Sequence, residues 1–207
     1  MHPKLVTEEA EPGEAAAGAD AVPGGRPLRR VTHLRADCDR CAGLCCVAPA
    51  FDGQQGFGFS KPAHVPCTHL QGDFRCDIHA ELAGRGFPAC SSFDCYGAGQ
   101  RVTRLFRGKS WQDSAQLAAR MFQAYSRYRG LHELLALLDL ALAHVAPGAR
   151  ARLQQRLEWL EALCESGEAL HCALTPESLR GDVLAEIREA LQGAPAGLAR
   201  LQALARK

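Results

Sequence analysis

Eight of the ten cysteines in this 207-residue chain fall between Cys38 and Cys95. The run opens densely, as Cys38-x2-Cys41-x3-Cys45-Cys46, and continues at wider intervals with Cys67, Cys76, Cys90 and Cys95; His64, His69 and His79 lie among them. Thiolates at this density predict a metal. A C-x2-C step lets two sulfurs reach one cation while backbone N–H groups of the turn donate to them. The tandem pair then offers either one more ligand or a bridge between two metals. Zinc would take four thiolates, or three and an imidazole, and eight cysteines could supply two such sites. An iron–sulfur cluster would also take four thiolates. Cys76-x2-His79 makes His79 the histidine best placed to join them, with His69, two residues from Cys67, second.

Other uses of cysteine fit less well. Cys45 and Cys46 cannot simply bond to each other, because adjacent Cα atoms are about 3.8 Å apart and a disulfide usually needs about 4.4 Å or more. The N-terminus carries acidic residues where a secretory signal would be apolar. The expectation is therefore a cytoplasmic protein, in a reducing compartment that disfavours disulfides. Simple burial of thiols suits an isolated cysteine on a helix, such as Cys164, better than this cluster. A thiol redox sensor, with exposed low-pKa cysteines, is a further alternative.

Beyond the first run come Pro66-Cys67-x2-Leu70, Phe74-x-Cys76-x-Ile78-His79 and Gly86-Phe87-Pro88-x-Cys90-x2-Phe93. This order resembles the CxxCxxCC family of zinc- or iron-chelating proteins. With Phe93-Asp-Cys95-Tyr-Gly-Ala-Gly-Gln and Leu131-His-Glu-Leu-Leu, residues of about 31–145 resemble the cysteine-rich N-terminal region of actinobacterial pentapeptide-repeat-containing proteins. The resemblance implies a metal-chelating module with Cys38, Cys41, Cys45, Cys46, Cys67, Cys76 and Cys90 as ligands, and Cys95 from the narrower subgroup. Some relatives in the broad family resemble protein-modifying methylases, which makes an iron–sulfur-dependent modifying enzyme an alternative function. The chain departs from the pattern in two respects. Three residues rather than two precede the tandem pair, and no five-residue repeat follows, so no β-helix is implied.

The elements that must position these thiols can be read from composition and period. A net charge of +1 and the lack of a basic stripe exclude an ordinary nucleic-acid binder, with Arg101–Arg107 read as a solvated run. No apolar run approaches the roughly 20 residues of a membrane span. Residues 1–30, rich in Ala, Gly, Glu and Pro, predict a disordered leader. Residues 31–100 predict an irregular metal-binding module of loops and brief strands, with one short helix at 77–83; a strand or connector at 102–106 follows it.

Residues 101–207 predict a helical domain. One helix is capped by Ser110 or Asp113 and ends near Tyr128, and Gly130 separates it from a second whose stripe is Leu131, Leu134, Leu135, Leu138, Leu142 and Val145. Pro147-Gly148 closes that helix. A third runs over 149–164, a fourth starts at Thr175-Pro176-Glu177, and a last one covers 196–205. The predicted fold class is mainly α: an irregular cysteine-rich metal-binding module packed against a small antiparallel helix bundle. The helices would serve as support or as a surface for a protein partner, and the partners expected are a metal ion and protein, with no nucleic acid and no membrane.

Overall fold

The structure, a computed structural model, describes residues 34–192; the predicted leader and the predicted last helix lie outside the described residues. The protein is mainly helical. Its six helices among the described residues are α1 (Leu44–Val47), α2 (Pro88–Ser92), α3 (Ala98–Leu105), α4 (Ala115–Leu142), α5 (Pro147–Ser166) and α6 (Pro176–Ala190).

Helix α4 is the axis of the molecule, and α3, α5 and α6 all pack on it. Its 28 residues span about 42 Å at a rise of roughly 1.5 Å per residue. Where the sequence predicts two helices parted at Gly130, the structure has one. Gly130 sits in the helix interior, where glycine costs about 1 kcal/mol against alanine. A Cβ there would lie 2.6 Å from the Pro176 Cβ, so the residue is the notch that admits the start of α6. The cap also differs from expectation: the Ser114 side chain accepts from the Leu117 N–H, while Ser110 and Asp113 bond to each other in the preceding turn. From Leu131 onward the helix is buried nearly all round, at Leu134, Leu135, Leu137, Leu138, Ala141 and Leu142, because neighbours cover it on several sides.

Helix α5 buries Leu153, Leu157, Leu160 and Cys164, the stripe its period predicts. Pro147 opens α5 rather than closing α4, which stops at Leu142; proline fits the first turn of a helix, whose N–H groups have no intrahelical partner. Helix α6 begins as predicted, with a reciprocal cap between Thr175 and Ser178, and buries Leu179, Val183 and Ile187. The Arg156–Glu186 pair ties α5 to α6, and Arg180–Glu133 ties α6 to α4.

Residues 102–106, predicted as a strand or connector, belong mostly to α3, which buries Ala98 and Val102 one turn apart. Arg101, predicted as solvated, is only 7% exposed. Its guanidinium donates to the Cys164 and Glu165 carbonyls, both at 2.6 Å, and pairs with the Glu165 carboxylate. It caps the last turn of α5, whose carbonyls lack intrahelical donors. The segment before α3 is irregular. Among the described residues no strand forms, only single bridges between Phe51 and Lys61 and between Leu70 and Cys76, and the predicted helix at 77–83 shrinks to a 3-10 turn, His79–Glu81. One buried cluster runs from Leu34 to Leu191 and joins this irregular segment to the helices.

Candidate metal centre

A cavity of about 260 Å³ opens within the irregular segment, and Cys38, Cys41, Cys45, Cys46, Cys67, Cys76, Cys90 and Cys95 all line it. His69 and His79 share the wall with Phe51, Phe57, Phe74, Ile78, Leu82 and Phe87. Every cysteine that the spacing selects as a ligand is thus brought to one apolar chamber. Cys164 and Cys172 are not among the lining residues. All ten cysteines are thiols rather than disulfides.

Several polar pins hold the chamber on the helices. The Trp111 indole N–H donates to the Ala42 carbonyl at 2.8 Å, and the Thr103 hydroxyl accepts from the Ala42 N–H at 3.0 Å. Gln100 clasps the start of the run, donating to the Arg35 carbonyl and accepting from the Asp37 N–H. His132 on α4 holds the Tyr96 carbonyl at 2.7 Å through Nδ1, which must carry the proton because a carbonyl only accepts. Lys61, 6% exposed, donates to the Val47, Pro49 and Pro62 carbonyls and lies over the Phe51 ring. Burial lowers the pKa of its ammonium, with Cys67 and Cys46 acting the other way.

Two of the four non-glycine residues with positive φ among the described residues adjoin the chamber's cysteines. Phe74, two residues before Cys76, has φ +67°, and Tyr96, next to Cys95, has φ +49°. Bulky side chains rarely adopt the left-handed region, and such strain persists where the surroundings impose it, often at functional sites. Gly99, on α3, supplies a close approach instead: a Cβ there would sit 2.6 Å from the Cys41 Sγ and 4.0 Å from the Cys95 Sγ. The missing side chain is what lets those two sulfurs pack against the helix.

Six of these thiols are shifted towards the neutral form. Burial pushes Cys41 up to about 12 against the opposing pull of the Leu44 and Gly43 amides, and pushes Cys90 up to about 11. Cys45 is driven well above the ordinary thiol range, first by its hydrogen bond with Cys46 and then by burial. Burial also raises Cys38, Cys76 and Cys95, with the Gly99 and Gly97 amides working the other way on Cys95. A cation reverses this balance, because metal binding displaces the thiol protons.

Among the described residues no three His, Cys, Asp or Glu side chains already converge on one ion; the thiols ring the chamber. The Cys45 and Cys46 sulfurs are 3.8 Å apart, the separation of about 3.8 Å that two sulfurs take in a tetrahedron with metal–sulfur bonds of about 2.3 Å. Amides that face the sulfurs, such as the His69 N–H on Cys67 at 3.5 Å, are the supports a thiolate site uses.

The sequence reading selects the thiols but misses Gly99, Gln100 and His132 as their supports. Gly99 and Gln100 lie within the Cys95-Tyr-Gly-Ala-Gly-Gln motif and His132 within Leu131-His-Glu-Leu-Leu, motifs that flag these positions without saying what they do. No helix of the described residues is long and apolar enough to cross a membrane.

Comparison with known proteins gives one curated relative, the uncharacterized protein YybG of Bacillus subtilis (strain 168), 36% identical over 152 residues. The match covers 72% of this chain and 54% of that protein, so the chain spans about half the length of the curated relative it matches. No family model and no solved structure matches.

Proposed function

We propose that the protein binds metal, zinc or iron, through the cysteines of the Cys38–Cys95 segment, and that the centre is polynuclear. The observation that carries this reading is the single chamber lined by all eight of those thiols. Eight sulfurs are twice the complement of one tetrahedral ion. A volume of 260 Å³ is also more than ten times the roughly 10–15 Å³ needed to admit one water-sized body. Cys45 and Cys46, at the edge length of one tetrahedron, share an ion, and the remaining thiols with His79 complete its shell and that of its neighbour. The resemblance to the CxxCxxCC chelating proteins points the same way. The metal supplies folding energy to a segment with almost no regular structure; structural zinc contributes on the order of 10 kcal/mol in small domains.

A second reading, an iron-dependent modifying enzyme, has one observation in its favour. A cleft of about 610 Å³ lies against the chamber and shares Ala36 and Cys38 with it, with Arg35, Arg40, Gln100, Arg104 and Glu165 in its wall. A substrate there would reach the centre from the side of its exposed thiol, Cys38. The redox-sensor alternative is weaker, since burial raises the thiols where a sensor needs them lowered.

Elemental mass spectrometry on protein purified anaerobically, with a visible spectrum of the same sample, tests these readings. Two or more equivalents of zinc support a structural centre. Iron with acid-labile sulfide makes the enzyme reading the next to assay. Folded protein that neither carries nor takes up metal overturns the proposal.

A further inference from the structure

His69 and Asp77 are held opposite each other by a short turn of chain that doubles back on itself. Leu70 and Cys76 form its antiparallel bridge. The Gln71 N–H donates to the Arg75 carbonyl at 2.8 Å, and the Asp77 N–H to the His69 carbonyl at 3.0 Å. This pairing sets the His69 ring beside the Asp77 carboxylate, with Nδ1 2.9 Å from Oδ1. A carboxylate accepts and does not donate, so Nδ1 carries the proton. The other carboxylate oxygen accepts from the Gln71 side-chain amide at 3.3 Å. Two aromatic rings hold the imidazole from other directions: Phe87 stands perpendicular to it at 5.3 Å between centroids, and Phe59 lies tilted at 6.5 Å.

A histidine–carboxylate pair at a surface is an ordinary contact. This pair is placed otherwise, because His69 lines the thiol chamber while Asp77 and Gln71 are not among the lining residues. The Nδ1 edge of the ring is thereby taken up outside the cavity, and the lone pair of the neutral ring is left at Nε2. Cys67 and Cys76, on the two arms of the same turn, line the chamber with it, and the His69 N–H already faces the Cys67 sulfur. We propose that His69 is an imidazole ligand of the metal centre through Nε2, and that Asp77 is its positioning residue. The inference rests on the metal-binding reading above and adds a nitrogen donor to its thiolates. Histidines that hold metals commonly pass their other N–H to a carboxylate, which fixes the tautomer and makes the ring a stronger ligand. His79, the histidine that spacing alone favours, stands exposed in its 3-10 turn. A centre of more than one ion has places for both rings, but His69 is the one already oriented by a carboxylate.

An NMR-active isotope of cadmium tests this, because thiolate sites accept cadmium and a ring nitrogen bound to it shows a scalar coupling to the metal. The full chain, isotopically labelled and loaded anaerobically, is expected to show cadmium coupled to the His69 ring at Nε2, with Nδ1 still carrying its proton. The coupled ring is assigned in the wild-type protein, so the answer does not depend on a variant that folds. Asp77→Asn should keep the coupling and weaken cadmium binding about 10–100-fold in competition with a chelator, the usual effect of altering the partner of a ligating histidine. Its metal-free denaturation midpoint should hardly move, because the Asp77 side chain is 46% exposed. Bound cadmium without coupling to His69 would overturn the assignment while leaving the thiolate centre standing. Coupling at His69 with wild-type affinity in Asp77→Asn would overturn the role of Asp77. A protein that takes up no cadmium would overturn the assignment too, and if it takes up neither zinc nor iron the metal centre falls with it.

Discussion

Gly99→Ala separates the fold from the site. The added Cβ would lie 2.6 Å from the Cys41 sulfur and 3.7 Å from its Cβ, roughly 1 Å inside an ordinary contact. Cys41 is short and half-buried, and its N–H is held by the Cys38 carbonyl, so its sulfur must turn away. Overpacking of this kind costs about 1–3 kcal/mol, while replacing a helical glycine returns about 1 kcal/mol. The net change in metal-free stability is therefore small, about 0–2 kcal/mol, or a few degrees in Tm. The proposed metal centre would have less tolerance, since ligand distances must hold within about 0.2 Å. Metal affinity is expected to fall at least about 100-fold, beyond the usual loss of a supporting contact. Gly181→Ala, on α6 with nothing within 4 Å of the new Cβ, is the control and should stabilise by about 1 kcal/mol without touching the metal. Chelator competition and thermal melts of the two variants check both statements. A Gly99→Ala protein with wild-type metal stoichiometry and affinity would show that the Cys41 sulfur at this notch is not a ligand.

Three further outcomes follow from the same geometry. Metal affinity should climb steeply with pH, by up to one decade per pH unit for each thiol proton displaced, and keep climbing past pH 9 because burial holds Cys90 and Cys41 at about 11 and about 12; a plateau below pH 8 in a competition titration would contradict this. The metal-free fold should respond in the opposite sense. These thiols, with Cys164 at about 12, have folded pKa values above the ordinary 9.0, so their stabilisation is complete below pH 9.0 and is lost as pH rises through about 11–12. Chemical denaturation across that range would show it, and metal should protect against it. Gly130→Ala should destabilise by about 1–2 kcal/mol despite the gain in helix propensity, because its Cβ would meet Pro176 atoms at 2.6 and 2.8 Å and the proline ring cannot turn aside; a raised Tm would refute the notch.

How much of this could be read from the sequence depended on range. The period of Leu153, Leu157, Leu160 and Cys164 fixes the buried face of α5 without any knowledge of its partners, and Thr175-Pro176 marks the start of α6 through purely local chemistry. Gly130 defeats the same logic because its reason lies 46 positions away, at a proline in another helix that occupies the missing side chain's place. Arg101 fails likewise: five donors in a basic run look solvated until the C-terminal carbonyls of α5 are brought to them. For the site, thiol identity and spacing are a local signal, and the eight cysteines could be picked out one by one. That they share a chamber could not, since the loops between them have neither period nor pairing to fix their paths.

The supports of those thiols are the least legible part and also the part that joins site to fold. Gln100, Thr103 and Trp111 hold the first cysteine run by four hydrogen bonds to its backbone, and His132 reaches from the middle of α4 to the residue after Cys95. None of these side chains carries a metal-ligating pattern in sequence; Gln100, Thr103 and His132 are helix residues and Trp111 lies in the turn between α3 and α4, and the partner of each is a loop carbonyl or amide. The consequence is thermodynamic. A segment with so little regular structure is ordered by α3 and α4 on one side and, in the proposed reading, by metal on the other. Loss of metal should therefore loosen the loops around Cys67, Cys76 and Cys90, which lie farthest along the chain from those pins, before it loosens the Cys38–Cys46 run. Amide hydrogen exchange with and without metal reads the order directly. Uniform loosening of the whole chain on metal removal would mean that the helices depend on the centre as much as the loops do, and would refute the view of α3 and α4 as an independent platform.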